Sequence, residues 1–476
     1  MSEPEDILLF EFAEEEFPGQ IIAALGELFP VFDERKLVNK NPLSGKMSLD
    51  YCGFATSGSR LVTVLPKYLR KQFAGIHAPG EKAKIQKDAA GKLFRLLKRN
   101  QYGARNQKNI EVAAADFMNE NTAGYTNELA IAEFILLDYQ DNGLWFYNEK
   151  KVMVDAGGDT DWELTINNID PVISGGMPYY FSTYSFTNEL VTDSLITRIH
   201  KYAINYCNRR FAFLLDLEMA DEPDAVSDPE DLGDLYSLLY VIEKQLRITF
   251  REREILLLKA LGELIEIGFS RSGEAMSLYG RRDFEQVWEA ALQYTFRHNS
   301  DLRGELFSLP QWFNALTGKY LAVNVNDTLK PDVLRKIKMG DRELLLILDA
   351  KYYLLNYEWK GSFPPIGDII KQYFYEAGVT RKEIGYRSAD VINAFIFPAI
   401  DPPASGWFEN GGHVWLDNDM FTLINVSGKI KKPVLTFNLS PDIIFERYTR
   451  LSAFSEAEVY DFIDSAFSYL DKLPSV

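Results

Sequence analysis

Hydrophobic and polar positions along this chain alternate between a two-residue and a 3.6-residue period. Leu61-Val62-Thr63-Val64-Leu65 alternates like a strand and stops at Pro66-Lys67-Tyr68. Leu49 to Phe54 precedes it, and the turn residues Thr56-Ser57-Gly58-Ser59 predict a hairpin between the two. Leu93, Leu96 and Leu97 sit at helical spacing within 81–108. A second helix is predicted from Ser194 to Arg209, where His200 falls among Ile196, Ile199, Ala203 and Ile204. A histidine in that setting reads as structural. Residues 235–268 read as one or two long helices, with Leu238, Leu239, Ile242 and Leu246 on one stripe.

From about residue 276 the pattern changes. A helix carrying Phe284, Val287, Trp288, Ala291 and Leu292 comes first. The unbroken run Leu344-Leu345-Leu346-Ile347-Leu348 then predicts a strand. Pro364-Pro365-Ile366-Gly367 breaks the chain, and a helix opens with Asp368 as its N-cap. Another strand, Val391 to Phe397, ends at Pro398. The expected fold class is α/β, α+β overall. It comprises an N-terminal mixed α/β domain over 1–140 that meets a partner or DNA, and a largely helical middle region over 141–275. The C-terminal domain, 276–476, has a central mixed sheet flanked by helices.

Composition narrows the function. The 476 residues are enough for two to four domains, and 46% hydrophobic with 25% charged residues is ordinary for a globular protein. No apolar run approaches the roughly 18 residues of a membrane span. The acidic start, Met1-Ser2-Glu3-Pro4-Glu5-Asp6, resembles no secretion signal, so a cytoplasmic protein is expected. Two distant cysteines, Cys52 and Cys207, make neither a CxxC zinc site nor a disulfide framework. The histidines His77, His200, His298 and His413 are scattered, which argues against a histidine-rich metal centre.

The formal net charge is −18. Affinity for DNA comes largely from phosphate neutralisation, so this chain is not expected to grip DNA strongly alone. Against that background, residues 81–108 hold nine Lys or Arg and two acids. Lys92, Arg95, Lys98 and Arg99 are candidate DNA or partner contacts, with a solvated helix face as the plainer alternative. Residues 215–234 invert the sign, with nine acids and no base, and read as a solvated loop or linker.

The candidate chemistry lies at Pro331-Asp332 and Asp349-Ala350-Lys351. Side chains alternate on a strand, so Asp349 and Lys351 share a face while Ala350 points to the core. Two carboxylates and a lysine suit phosphodiester hydrolysis with Mg²⁺, or Mn²⁺ as the alternative ion, because such ions take a few carboxylates and keep several waters. Asp332 and Asp349 are the expected ligands, with the Ala350 carbonyl as a third. Lys351 would orient or deprotonate the water; burial would lower its pKa and neighbouring carboxylates would raise it. Glu285 and Glu289, four apart on one helical face, are the candidates for a further acid, and Glu285 is preferred. The later helix offers Gln372 as a site residue and Tyr375 as a DNA contact. The set has the spacing of a PD-(D/E)XK nuclease.

The segments Tyr279-Gly280-Arg281-Arg282-Asp283-Phe284-Glu285, Lys330-Pro331-Asp332, Leu348-Asp349-Ala350-Lys351-Tyr352-Tyr353 and Lys371-Gln372-Tyr373-Phe374-Tyr375 resemble those of the LlaJI family of restriction endonucleases, relatives of the McrC nuclease subunit. Pro66-Lys67-Tyr68 and Ile196-Thr197-Arg198-Ile199-His200 are also similar to that group. The resemblance implies a restriction-endonuclease-like domain and a DNA-cutting subunit of a restriction or anti-phage system. It also implies a separate McrB-like AAA+ GTPase, stimulated by this chain, and leaves room for a dimer on assembly. The chain has no GxxxxGK[ST], so the GTPase is expected on another chain. The alternatives are a noncatalytic GTPase-activating subunit that keeps the nuclease fold, or a stand-alone structure-specific nuclease.

Overall fold

The computed structural model describes residues 5–11, 18–42, 44–58, 60–75, 79–102, 128–217, 220–222, 224–269, 276–320, 328–355, 363–381, 384–404, 406–425, 430 and 432–473. His77, Arg105, Lys108, Glu218 and Pro223 lie outside them. The chain divides into two compact units that are discontinuous in sequence. One comprises Met1–Glu5, Thr56–Leu61 and Lys108–Leu278, the other Asp6–Ala55, Val62–Gln107 and Tyr279–Val476. These units do not coincide with three consecutive segments. Local periodicity reveals elements, whereas the units are set by pairings between segments far apart in sequence. No helix of the described residues is long and apolar enough to cross a membrane.

The first unit is largely helical. Glu128–Asn142 and Leu195–Leu215 pack together with Glu252–Phe269. Ser194 caps the second of these helices through the Thr197 amide, which explains why it starts there. The buried acid Asp138 is held by both arms of Arg253, at 2.6 and 2.8 Å. The histidine expected to be structural is fully buried, and its Nδ1 accepts the Trp145 amide N–H at 3.1 Å. The acidic segment keeps most of its described acids exposed, as a solvated loop does, and several of them also make local bonds. Asp221 pairs with Arg209, the Glu222 carboxylate takes the Tyr139 hydroxyl, and Asp228 and Asp234 cap helical turns.

In the second unit, a five-stranded mixed sheet carries the core. Val333–Met339 pairs antiparallel with Arg342–Ala350, which runs parallel to Val391–Pro398. Val434–Leu439 continues the parallel run and Phe408–Val414 closes the edge antiparallel. Helix Ile366–Thr380 makes the crossover between the first parallel pair. The Leu344–Leu348 run is buried throughout, as a central strand covered on both faces must be. The expected order of helix, strand, strand, helix, strand is present as Glu285–Thr295, these two strands, Ile366–Thr380 and Val391–Pro398, with short elements between the first helix and the sheet.

The N-terminal hairpin is also present. Strands Cys52–Ser57 and Arg60–Leu65 are neighbours in a four-stranded sheet that Glu5–Phe10 and Met276–Arg281 complete at its two edges. Gly280 permits a close approach here: a Cβ on it would lie 2.4 Å from the Cys52 carbonyl oxygen.

The basic helix spans Pro79–Tyr102. Its leucines are buried, but so are Lys98 and Arg99. Arg99 donates to the Tyr448 carbonyl at 3.0 Å and its guanidinium lies over the Tyr294 and Tyr448 rings. These two residues are therefore parts of the fold rather than surface contacts for DNA. A long basic stem covering apolar surface looks the same in sequence as one reaching into solvent. Lys92 is exposed, pairing one turn away with Asp88, and Arg95 is half-buried.

Candidate active site

The hairpin register brings the acids together. Met339 faces Arg342 across a Gly340-Asp341 turn, with Gly340 at φ +63° as such a turn requires. Counting back, Val333 faces Leu348, so the next position sets Asp332 against Asp349. Side chains opposite each other on antiparallel strands share a face, and like charges there repel. The Ala350 amide N–H donates to Asp332 Oδ2 at 2.7 Å. The site lies at the carboxyl end of the parallel strand, where open α/β sheets place their ligand crevices.

Asp349 is 1% exposed. Neither of its oxygens has a hydrogen bond among the described residues. Lys351 Nζ lies 2.6 Å from Asp349 Oδ2 and 3.0 Å from Asp368 Oδ2, an ion pair shared between two acids. Burial disfavours the Lys351 charge, but Asp349 and Asp368 outweigh it and hold the pKa above the ordinary lysine value. Asp332 is pushed up to about 7 by burial, then by the charges of Asp349 and Glu289.

The structure separates the two helix acids. Glu289 is half-buried, and its pKa is raised by burial and by Asp349, against the charges of Arg303 and Lys371. Glu285 is exposed at the first turn of the helix, where its charge bears on Lys67 and Arg282. The acid brought to the Asp332–Asp349 pair is thus Glu289, not the preferred Glu285. One helical turn separates them, and periodicity cannot choose between positions on the same face.

Helix Ile366–Thr380 supplies the other wall. Its N-cap is Pro365, not Asp368, which sits inside the first turn and reaches Lys351. Asp368, Gln372 and Tyr375 are spaced i, i+4, i+7, a signal for one face that identifies Asp368 as a site residue. Gln372 is fully buried, and among the described residues neither end of its amide is hydrogen-bonded. Tyr375 is also buried, its ring 5.9 Å from that of Phe307, so it is not a surface contact for DNA. Its hydroxyl has no hydrogen bond, and burial with the charges of Asp349, Asp332 and Asp368 raises its pKa.

Buried polar atoms normally find partners. Here, among the described residues, the two Asp349 oxygens, the Gln372 amide and the Tyr375 hydroxyl all lack hydrogen-bond partners. Among the described residues, no three His, Cys, Asp or Glu side chains form a complete cage for an ion. Mg²⁺ does not need one: it is commonly held by one or two carboxylates, waters and substrate phosphates. Oxygen donors that lack partners fit such an ion. The described histidines do not enter the site. His298 Nδ1 accepts the Leu334 amide N–H and His413 pairs with the Tyr469 hydroxyl.

A curated relative, the Type II restriction enzyme BsuMI component YdjA of Bacillus subtilis (strain 168), is 28% identical over 424 residues, covering 86% of this chain and 85% of that protein. Among solved structures, one chain from the half-complex of Thermococcus gammatolerans McrB AAA+ hexamers with bound McrC aligns over 97% of this chain and 99% of its own. Its TM-score is 0.37 and its identity 15%. A chain of the Thermococcus gammatolerans McrBC complex aligns over 60% of this chain and 84% of its own, with a TM-score of 0.28 and 13% identity. The model of the LlaJI restriction endonuclease matches residues 51–429, which include Asp332, Asp349, Lys351 and Gln372, and the chain belongs to that family.

Proposed function

We propose that this chain is the DNA-cutting subunit of a restriction or anti-phage system, a Mg²⁺-dependent phosphodiesterase of the PD-(D/E)XK type. The observation that carries this reading is the buried Asp349 carboxylate. It lies between the acid Asp332 and the ammonium of Lys351, whose Nζ is 2.6 Å from Oδ2, and no other described residue hydrogen-bonds its oxygens. Asp332 and Asp349 would hold the ion, with the Ala350 carbonyl as a further oxygen and the charge of Glu289 bearing on the pair. Bound there, Mg²⁺ would neutralise charge on the phosphate and lower the pKa of a water. Asp332 has to lose its proton for this, and its raised pKa makes that loss easiest above about pH 7. Lys351 keeps a fixed positive charge beside the reacting phosphate and orients the attacking water. The Gln372 amide offers one donor and one acceptor to the same water or to a phosphate oxygen.

The retained set Asp332, Asp349 and Lys351 favours a cutting subunit over a noncatalytic one. We also propose that a separate McrB-like AAA+ GTPase positions the chain on DNA. The support is the motif resemblance, the absence of a phosphate-binding GxxxxGK[ST] motif, the net charge of −18, and the naming of the Bacillus relative as one component of a restriction enzyme. The deciding assay incubates the native complex with plasmid DNA, Mg²⁺ and GTP. Wild-type protein should cut, EDTA should stop it, and Asp349→Asn should fold but not cut. An Asp349→Asn complex that cuts at the wild-type rate would overturn the cleavage reading.

A further inference from the structure

The residue after Lys351 is anchored by residues from the far end of the sequence. The Tyr352 hydroxyl donates to Glu11 Oε2 at 2.9 Å, across 341 positions of chain. Glu11 is itself fixed, because its amide donates to the Leu65 carbonyl at 2.9 Å. Lys67, two residues further on, places Nζ 4.2 Å from the centroid of the Tyr352 ring. The opposite constraint comes from the acid helix: Phe284, its N-cap residue, packs its ring 5.6 Å from that of Tyr352. Lys351 itself is joined to the neighbouring parallel strand through its amide, which donates to the Ile396 carbonyl at 2.9 Å, and through its Nζ, 5.8 Å from the centroid of the Phe395 ring, before the chain leaves the sheet.

Tyr352 is thus the point where the end of the Asp349-Ala350-Lys351 strand meets the start of the helix bearing Glu289. We propose that Glu11, Lys67 and Tyr352 are positioning residues for DNA cleavage, holding the backbone after Lys351 in register with the acid helix. None of them touches the reacting atoms. The proposal rests on the cleavage reading above and assigns a role to Pro66-Lys67-Tyr68 that local sequence does not explain. Burial of an acid and a lysine at such a point is otherwise costly. Glu11 is 1% exposed and pushed up to about 7 by that burial, only partly offset by the Lys67 charge and the Tyr352 hydroxyl. A group retained under such strain is expected to matter to the geometry it supports.

The test compares wild type, Asp349→Asn, Tyr352→Phe, Glu11→Ala, Glu11→Gln and the Glu11→Ala/Tyr352→Phe double variant in the native complex, by steady-state DNA cleavage. Outer-shell partners of a metal site are commonly worth about 10- to 100-fold. Tyr352→Phe and Glu11→Ala should each lower kcat about 10-fold with KM unchanged. The double variant should be no worse than either single one, and Glu11→Gln, which still accepts the hydroxyl, should recover most of the rate. Thermal unfolding of each variant separates misplacement from unfolding. Wild-type kcat in Tyr352→Phe, or additive losses in the double variant, would overturn the proposal. The Asp349→Asn arm reads the underlying function separately. If that variant cuts like wild type, or wild type does not cut, the cleavage reading has failed and the positioning role goes with it.

Discussion

The acids of this site are held close against their mutual repulsion. Asp332 and Asp349 face each other across a hairpin, and Glu289 adds a third charge that pushes Asp332 up to about 7. Lys351 is the nearby compensation, shared between Asp349 and Asp368. The two helix acids should therefore behave differently. Glu289→Gln is expected to slow cleavage by about 10- to 100-fold, in the range found for groups that tune a metal site. Glu285→Gln should leave it near the wild-type rate. Single-turnover cleavage of both variants at matched protein concentration checks this. Lys351→Met should also lower the rate by about 100-fold or more, since it removes a fixed charge aimed at the transition state. Because Lys351 is held in its charged form, its loss should not be recovered by raising the pH.

At the scale of elements, two helices carry charged or titratable residues whose work is structural. In Pro79–Tyr102, Arg99 is buried against Tyr294 and Tyr448 while Lys92 faces solvent. Arg99→Ala should destabilise the protein by about 1–3 kcal/mol, from the lost hydrogen bond and ring contacts. Lys92→Ala should change stability by less than about 0.5 kcal/mol. Urea unfolding followed by circular dichroism distinguishes the two. In Leu195–Leu215, burial and the charge of Arg253 depress His200 from 6.5 to about 3. The unfolded chain then binds more protons than the folded one between those values. His200's contribution is complete above about pH 6.5 and is lost as pH falls toward 3, at about 1.4 kcal/mol per unit. His200→Asn, which keeps an acceptor for the Trp145 amide, should flatten the acid limb of unfolding temperature against pH over that window.

Across the whole molecule, charge and chemistry point to different tasks. The proposed site would meet a polyanion, yet the chain carries a net charge of −18, and two of its four candidate basic contacts, Lys98 and Arg99, are buried. The purified chain alone should bind duplex DNA no more tightly than about 1 μM at physiological salt, the range of nonspecific binding. Addition of the partner should tighten binding well beyond that. Fluorescence anisotropy across a salt series measures both, and tight binding by the isolated chain would favour a stand-alone nuclease.

Elements with a long, regular period were legible from sequence: the 61–65 strand, the helix capped by Ser194, the apolar Leu344–Leu348 strand and the order of elements after residue 276. These follow from local rules, because backbone geometry maps directly onto side-chain spacing. The placement of Asp332, Asp349 and Lys351 side by side was legible for the same reason, being tied to one strand and its hairpin partner. Tertiary structure alone decided which of Glu285 and Glu289 meets them, that Asp368 is a partner of Lys351 rather than a cap, and that Lys98 and Arg99 turn inward. It also joined Glu11 and Lys67 to Tyr352 from several hundred residues away. Each of these depends on which face of an element is covered, and burial is a property of the packed chain that no local spacing encodes.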